Sequence, residues 1–586
     1  MKWHLYILFV GILAFFTITG NAQNAQPVPT NTPVPSMTPA ILDTQNVPPE
    51  DLKGIPAIAP NYGSDDRSLP DLGRVGVDME QQRSLTLPET IELALANNKD
   101  VEVTRKNIRM AEFDVRASHG VFQPRLSGQS YYERNKSPNV SIFSSNSSTN
   151  QGSLVANVAL AAYVPKFGTV LTTGFNNSRV TTDNPISILS PQDTSSLSFA
   201  ITQPLFRGLR FDQNRRTIEI AKRNLALTDT QFRQRSIEVV AAAQKAYWDL
   251  AFSLRNLQVQ RDSVRDARDQ LEHNRRLVVE GQLAPIDIVA AETQVANFEQ
   301  AVYDALNTVN QSENAIKNLI SINRNDVIWS QSLTPVDSVE LETPRTTLPE
   351  AMEAAIENRP EFEINNAQKD INALDQRLYR DQKKPQIDLI ASYNAAGVGG
   401  NQNPNFSSPF PLPCTTNPTS PACQQQQTNL ALLTGNPLGG ILANRYPTFR
   451  VGIQFNIPLF GDKTAGALLG KSIVENEKIE TQREQIEQTI QVEVRNALQS
   501  IRTSEARLRA AAIARENSVK QYESEQRKLD AGQSDIYKVL ERQTALTAAR
   551  SNELRARTEL NKAIAELQRS TGNSLKANNV VPKAIK

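Results

Sequence analysis

From Asp212 to Glu280 the chain carries neither proline nor glycine. About 68 residues of that kind make a helix ~100 Å long at 1.5 Å per residue, where an ordinary helix has three or four turns. A second proline-free stretch runs from about Thr464 to Ala531. Helices of such length need neighbours along their whole course. Leu250, Leu257, Val264, Leu271 and Val278 recur every seven residues, and Val295, Val302, Val309 and Ile316 do the same beyond a turn at Gly281. In the second stretch Ile490, Val494, Ala497, Ile501, Ser504, Leu508 and Ala511 alternate steps of four and three, facing Ala549, Ala556 and Ala563, with Leu560 and Leu567 beside them. A seven-residue period keeps one seam against a partner, which predicts two antiparallel coiled-coil hairpins. Arg261, Arg268 and Arg275 follow the same step and read as a solvated flank.

The two hairpins belong to a tandem duplication. Thr86-Leu87-Pro88-Glu89 returns as Thr347-Leu348-Pro349-Glu350, Pro124 as Pro385, Gln203-Pro204-Leu205-Phe206 as Ile457-Pro458-Leu459-Phe460, and Gly281-Gln282 as Gly532-Gln533, always in the same order. Each unit reads as short helix, helix, strands, very long helix, turn, long helix. The expected organisation is a leader at 1–22, a Pro-rich disordered arm at 23–82, a first repeat at 83–330, a linker at 331–345, a second repeat at 346–573 and a tail at 574–586. Lys2 followed by the apolar run Leu5–Ile18 and the small residues Gly20 and Ala22 reads as a cleaved secretory signal. That run is too short to span a bilayer as a helix.

The strand segments alternate. Phe449, Val451, Ile453, Phe455 and Ile457 share one face and Arg450, Gly452, Gln454 and Asn456 the other; Leu197, Phe199 and Ile201 oppose Ser196, Ser198, Ala200 and Thr202. One apolar and one wet face over about ten residues suits a tilted transmembrane barrel strand, and an ordinary periplasmic sheet is the alternative. Earlier strands begin at Arg125 and Gln386, with Tyr131, Tyr132 and Tyr393 placed as interfacial aromatics. A further hairpin, Ser153–Val164 and Gly168–Val180, has no twin in the second repeat, and its membership of a barrel is left open. Polar loops are expected at 135–151, 181–195 and about 397–446, with Gly397-Val398-Gly399-Gly400 as flexible linker. Cys414 and Cys423, the only cysteines, lie in the last loop, and an exported loop predicts a disulfide between them.

Composition excludes several classes. Lys and Arg number 63 against 62 acids, which argues against a basic nucleic-acid binder. The three histidines, His4, His119 and His273, lie far apart, and two cysteines make no metal cage. No phosphate loop and no dinucleotide-type glycine motif opens a helix. Neither an enzyme nor a bound cofactor or metal is expected.

The duplicated halves, the two Pro-Leu-Phe joints at Pro204 and Pro458, Ala246-Tyr247-Trp248-Asp249-Leu250 and a Gly-x5-Asp at the helix turn resemble the TolC-like outer membrane efflux protein family over roughly residues 83–573. The resemblance implies a mainly α fold with transmembrane β: a homotrimer whose long helices form a periplasmic α-barrel and whose strands, four or more per protomer, share one outer-membrane β-barrel, twelve-stranded in that family. It implies an exit duct in a Gram-negative outer membrane, in contact with lipid, for efflux or type I secretion. The duct is passive and opened by a periplasmic adaptor and an inner-membrane pump. It also implies a periplasmic gate at Asp287, Lys538 and Glu541 and adaptor contact at Gly281, Gln282, Leu283, Ala284, Gly532, Gln533 and Ser534. Lysine at 538 departs from the acidic pair of the family, and a pair with Glu541 one turn on is expected. The wet face (Arg450, Gln454, Asn456, Ser198, Thr202) suits an unselective water-filled conduit. A periplasmic adaptor with coiled-coil hairpins is the alternative.

Overall fold

The computed structural model describes residues 72–138, 147–338 and 342–581. The expected leader and the expected arm up to residue 71 lie outside them. The chain opens with strand β1 (Asp78–Leu85) and helices α1 (Leu87–Asn97) and α2 (Lys99–His119). Four strands follow: β2 (Arg125–Pro138), β3 (Ser148–Val164), β4 (Thr169–Thr182) and β5 (Leu189–Pro204). Helix α3 (Gln213–Val279) has 67 residues and returns as α4 (Pro285–Ile320). A short strand, β6 (Gln331–Pro335), leads into the second repeat of α5 (Leu348–Asn358), α6 (Pro360–Gln382) and β7 (Gln386–Gln402). Three short helices, α7 (Pro413–Thr416), α8 (Pro421–Leu433) and α9 (Pro437–Leu442), precede β8 (Tyr446–Asn456). Helix α10 (Lys463–Asp530, 68 residues) then returns as α11 (Ile536–Ser570), and α12 (Ser574–Ala577) closes the described chain.

Local chemistry starts and stops these elements. The Thr86 side chain accepts from the Glu89 amide, and Pro88 stands in the first turn of α1, where a missing N–H costs nothing. Asp212 and Asp462 cap the two long helices by accepting from the Arg215 and Ala465 amides at 2.8 and 2.9 Å. Both long helices end in the same way. Gly281 and Gly532 have φ of 78° and 67°, a left-handed conformation that glycine adopts without strain. The Gln282 and Gln533 amides then reach back to the Leu277 and Lys528 carbonyls, both at 2.8 Å.

The seven-residue seams are buried over most of their length, with Val278, Leu508 and Ala511 only half-buried. Leu257, Val264 and Leu271 pack with Val295, Val302 and Val309. Ile490, Val494, Ala497 and Ile501 pack with Leu560, Ala563 and Leu567. The flanking arginines bridge the first hairpin: Arg268 pairs with Glu299 at 2.6 Å and Arg275 with Glu292 at 3.2 Å. Laterally α4 lies on α3, α3 on α11 and α11 on α10, while nearer the strands α6 joins α3 to α10.

The Ala246–Leu250 motif fastens the repeats together. Tyr247 and Trp248 are buried and meet edge to face at 5.2 Å. The Tyr247 hydroxyl bonds the Asp337 carboxylate and the Leu85 carbonyl, and Asp249 accepts from Lys562 of the second repeat at 3.0 Å.

Several segments differ from expectation: the expected loops 135–151 and 181–195 are strand at 135–138, 148–151 and 189–195, and the expected 397–446 loop carries three short helices. Residues 78–82, read as arm, and 331–335, read as linker, are strands: β1 and β6 pair in parallel, Arg83 with Leu333 and Leu85 with Pro335, over the buried Leu85 and Leu333 side chains. Gly397 to Gly400 is ladder, pairing with Ser195 to Gln192 of β5. The hairpin without a twin is longer at both ends than expected and belongs to the main sheet, whose order is β2-β3-β4-β5-β7-β8, antiparallel throughout.

Candidate functional site

Register decides what the sheet presents to each side. Leu126 lies opposite Leu160, Val158 opposite Phe175, Leu171 opposite Ile201, Phe199 opposite Tyr393, and Leu389 opposite Ile453. Because side chains alternate strictly along each strand, these residues form one apolar surface across all six strands. It is exposed in the single chain: Leu126 is 73% accessible, Phe449 81% and Phe455 70%. The opposite face carries Gln129, Asn157, Asn176, Ser196, Ser198, Asn394, Arg450 and Gln454. An apolar surface of this extent marks a membrane or protein interface. Among the described residues no helix is long and apolar enough to cross a membrane. Both edge strands, β2 and β8, are exposed along their whole length. Unpaired backbone groups at such an edge cannot be left in lipid.

At one end of β5 and of β8 lies a joint to a long helix. Pro204-Leu205-Phe206 and Pro458-Leu459-Phe460 are each followed by a left-handed glycine, Gly208 or Gly461, and then by the capping aspartate of α3 or α10. The two expected joint prolines thus occupy equivalent places.

At the other end of the sheet, α9 covers part of the apolar face, with α8 also reaching β7. The Tyr393 hydroxyl donates to Asn444 Oδ1 at 2.6 Å. Gly397 and Gly399 carry α9 backbone so close that a Cβ on either would stand 1.9 Å from the Pro437 carbonyl oxygen or 2.0 Å from that of Gly435. Cys414 and Cys423 form the expected disulfide within this cap. In the sequence these glycines read as linker, since nothing local shows that a helix rests on them.

The helix turns form a second locus. Leu529, Ile536, Val539 and Leu540 bury a small core against Leu283, Ala290 and Tyr522. Of the residues expected to meet an adaptor, Gly281, Gln282, Ala284, Gly532 and Gln533 are exposed, whereas Leu283 packs inward and the Ser534 hydroxyl is taken up by Glu525. That bond holds the Glu525 carboxyl below the usual carboxylate range. A groove of about 540 Å³ runs between the starts of α4 and α11, lined by Ile286, Val289, Tyr537 and Glu541 among others.

Two of the three expected gate residues have local partners here, while Glu541 lines the groove. Asp287 accepts from the Ala284 amide at 3.1 Å, capping α4. Lys538 Nζ lies 3.5 Å from Asp535 Oδ2, so among the described residues its acidic partner is Asp535 and not Glu541. Asp535 also caps α11 by accepting the Lys538 amide. This capping position attracts the lysine back toward the helix start. Sequence spacing alone favours Glu541, and the structure differs because the Asp535 cap holds a carboxylate at the helix start.

A sheet apolar on one side and wet on the other, open at both edges and continuous with helices of 67 and 68 residues, defines a membrane-channel subunit with a helical extension. Residues 155–321 and 351–573, more than half of the chain, match the model of the outer membrane efflux protein family, and the chain belongs to that family of TolC-like channels. It is therefore an outer membrane efflux channel of the Gram-negative type. Its fold is similar to that of a membrane protein from Pseudomonas aeruginosa, at 16% identity over 85% of this chain and 91% of that one with a TM-score of 0.58. The outer-membrane channel OprN is similar at 14% identity over 87% and 98%, with a TM-score of 0.58. The CmeC outer membrane channel of Campylobacter jejuni is similar at 14% identity over 88% and 94%, with a TM-score of 0.57. At such identities the likeness is one of fold. Among curated protein sequences none matches the chain.

Proposed function

We propose that three copies of this chain close around one axis into a passive exit duct. Strand β8 of each copy pairs with β2 of the next, and the long helices continue the wall through the periplasm. The observation that carries this reading is the exposed apolar face, from Leu126 across to Phe455, bounded by two unpaired edges. One copy cannot satisfy those edges in lipid, and closure with further copies removes them. An adaptor hairpin meets the exposed turn residues Gly281, Gln282, Gly532 and Gln533, and an inner-membrane pump supplies the energy. Asp287, Lys538 and Glu541 of three subunits surround the closed periplasmic end.

The alternative of a periplasmic adaptor is disfavoured by the same apolar face, which a water-soluble protein would have to cover. Native mass spectrometry of the mature chain extracted from outer membrane tests the reading. A detergent-solubilised trimer is expected. A folded monomer in detergent-free buffer overturns it.

A further inference from the structure

In the second repeat β7 and β8 are joined by the helical cap. In the first repeat the equivalent strands are β2 and β5, since Pro124 and Pro385 precede β2 and β7 while Pro204 and Pro458 mark the ends of β5 and β8. The β3–β4 hairpin is inserted at that same point. It is fully paired on both sides, from Arg125 with Ala161 to Pro138 with Ser148, and from Val170 with Thr202 to Val180 with Gln192. Its faces keep the alternation of the sheet. Val158 and Phe175 join the apolar side, and Asn157 and Asn176 pair on the wet side. Nothing about it resembles a loop laid against a finished wall.

We propose that the hairpin is part of the wall, so that the assembled barrel has eighteen strands and a mouth wider than a four-stranded subunit would give. This rests on the trimeric reading above. Strands ~4.8 Å apart and tilted by ~40° give a backbone diameter of roughly 36 Å for eighteen and roughly 24 Å for twelve. The lumen is not filled by the cap: Gly397 shares the apolar face with Tyr393, and α9 lies against that face. The added wall is lined by Asn157, Thr172, Gly174 and Asn176, small or neutral side chains that leave the width open to solute. The helical tunnel gains no helix from the insertion, so the duct widens at its outer end. The outer barrel then ceases to be the size-limiting segment, and the periplasmic turns alone restrict cargo.

The test is electron cryo-microscopy of the mature trimer in lipid nanodiscs, with single thiols as a second readout. Both native cysteines are already paired, so an added thiol reports alone. An eighteen-stranded barrel is expected. Asn157→Cys and Asn176→Cys should react with a membrane-impermeant maleimide at least tenfold faster than Val158→Cys and Phe175→Cys. A trimer with twelve strands in the wall and the hairpin outside it, or equal reactivity at the four positions, overturns this inference and leaves the trimeric duct standing. A particle that is not a trimer removes both.

Discussion

The Tyr247 hydroxyl donates to the carboxylate of Asp337, ninety residues away, and the same carboxylate takes the Leu87 amide at 2.6 Å. Three segments are thereby tied at one point: the long helix α3, the start of α1 and the chain that follows β6. Burial raises the Tyr247 phenol above its ordinary value and the Asp337 charge raises it further, so it remains a donor throughout the working range. Tyr247→Phe leaves the ring in place and strips one partner from Asp337. A cost of about 1–3 kcal/mol is expected, as for a buried group left under-satisfied, read as a lower urea midpoint with unchanged slope for the helical region. An unaltered midpoint would show that water replaces the phenol.

The contact between the sheet and its helical cap makes a sharper prediction. At Gly397 a methyl would lie 1.9 Å from the Pro437 carbonyl oxygen, a backbone atom that cannot rotate away. Gly397→Ala should lift α9 from β7 and expose 403–445 to protease, raising cleavage there at least several-fold while the trimer persists. Gly452→Ala, on the same sheet with no neighbour near its Cβ position, is the control and should cleave like the parent. Equal cleavage of the two variants would mean that the cap does not rest on this strand in the membrane.

This contact also separates what the sequence makes legible from what it hides. The seven-residue seams and the alternation of β8 are local periodicities, and each is borne out by burial or register. The β1–β6 pair is not legible in the sequence because Asp78-Met79-Glu80-Gln81-Gln82 has no apolar alternation; its order comes from a partner some 250 residues away. The Gly397–Gly400 run reads as linker in sequence because glycine signals both a flexible loop and a close backbone approach, and only the packed helix distinguishes them. At the helix turns the residue types were legible, but Lys538 chose Asp535 over Glu541 because the N-cap fixes a carboxylate at the helix start.

Acid should loosen an ion-pair cluster of the second repeat, which Lys245 of α3 ties to the first through Glu566. Arg359 contacts Glu361 and Glu493, and Arg569 contacts Glu566 and Glu493. Burial opposes ionisation of Glu361, but Arg359 outweighs it. At Glu566 burial is likewise outweighed by Arg569 and Lys245, so both carboxyls sit below their ordinary range. A depressed carboxylate contributes stability that is complete above the unfolded pKa, about 4.3, and is lost as pH falls through the folded value. Thermal stability should therefore be flat from neutrality down to about pH 5 with respect to these groups and fall below pH ~4. In Glu566→Gln the acid-dependent part of the fall should shrink. An acid profile identical to the parent's would mean that the pair titrates alike folded and unfolded.

The closing end gives the last prediction. If the proposed trimer closes at these turns, three copies of Lys538 should bring positive charge to an aperture that otherwise carries Asp287, Asp535 and Glu541. A ring of like charges at a constriction attracts counter-ions and repels co-ions. Each Lys538 is 60% exposed at its side chain and only loosely held, 3.5 Å from Asp535, so its charge faces solvent and is screened by salt. Lys538→Ala should move the reversal potential of single channels under a KCl gradient toward cation selectivity, more strongly in dilute salt than in concentrated salt. The α11 cap survives the substitution, because Asp535 accepts the backbone amide of residue 538 and not its side chain. A shift in selectivity without loss of trimer would therefore report charge at the aperture and not damage to the helix. An unchanged reversal potential at low salt would place Lys538 away from the ion path and return the gate to Asp287 and Glu541 alone.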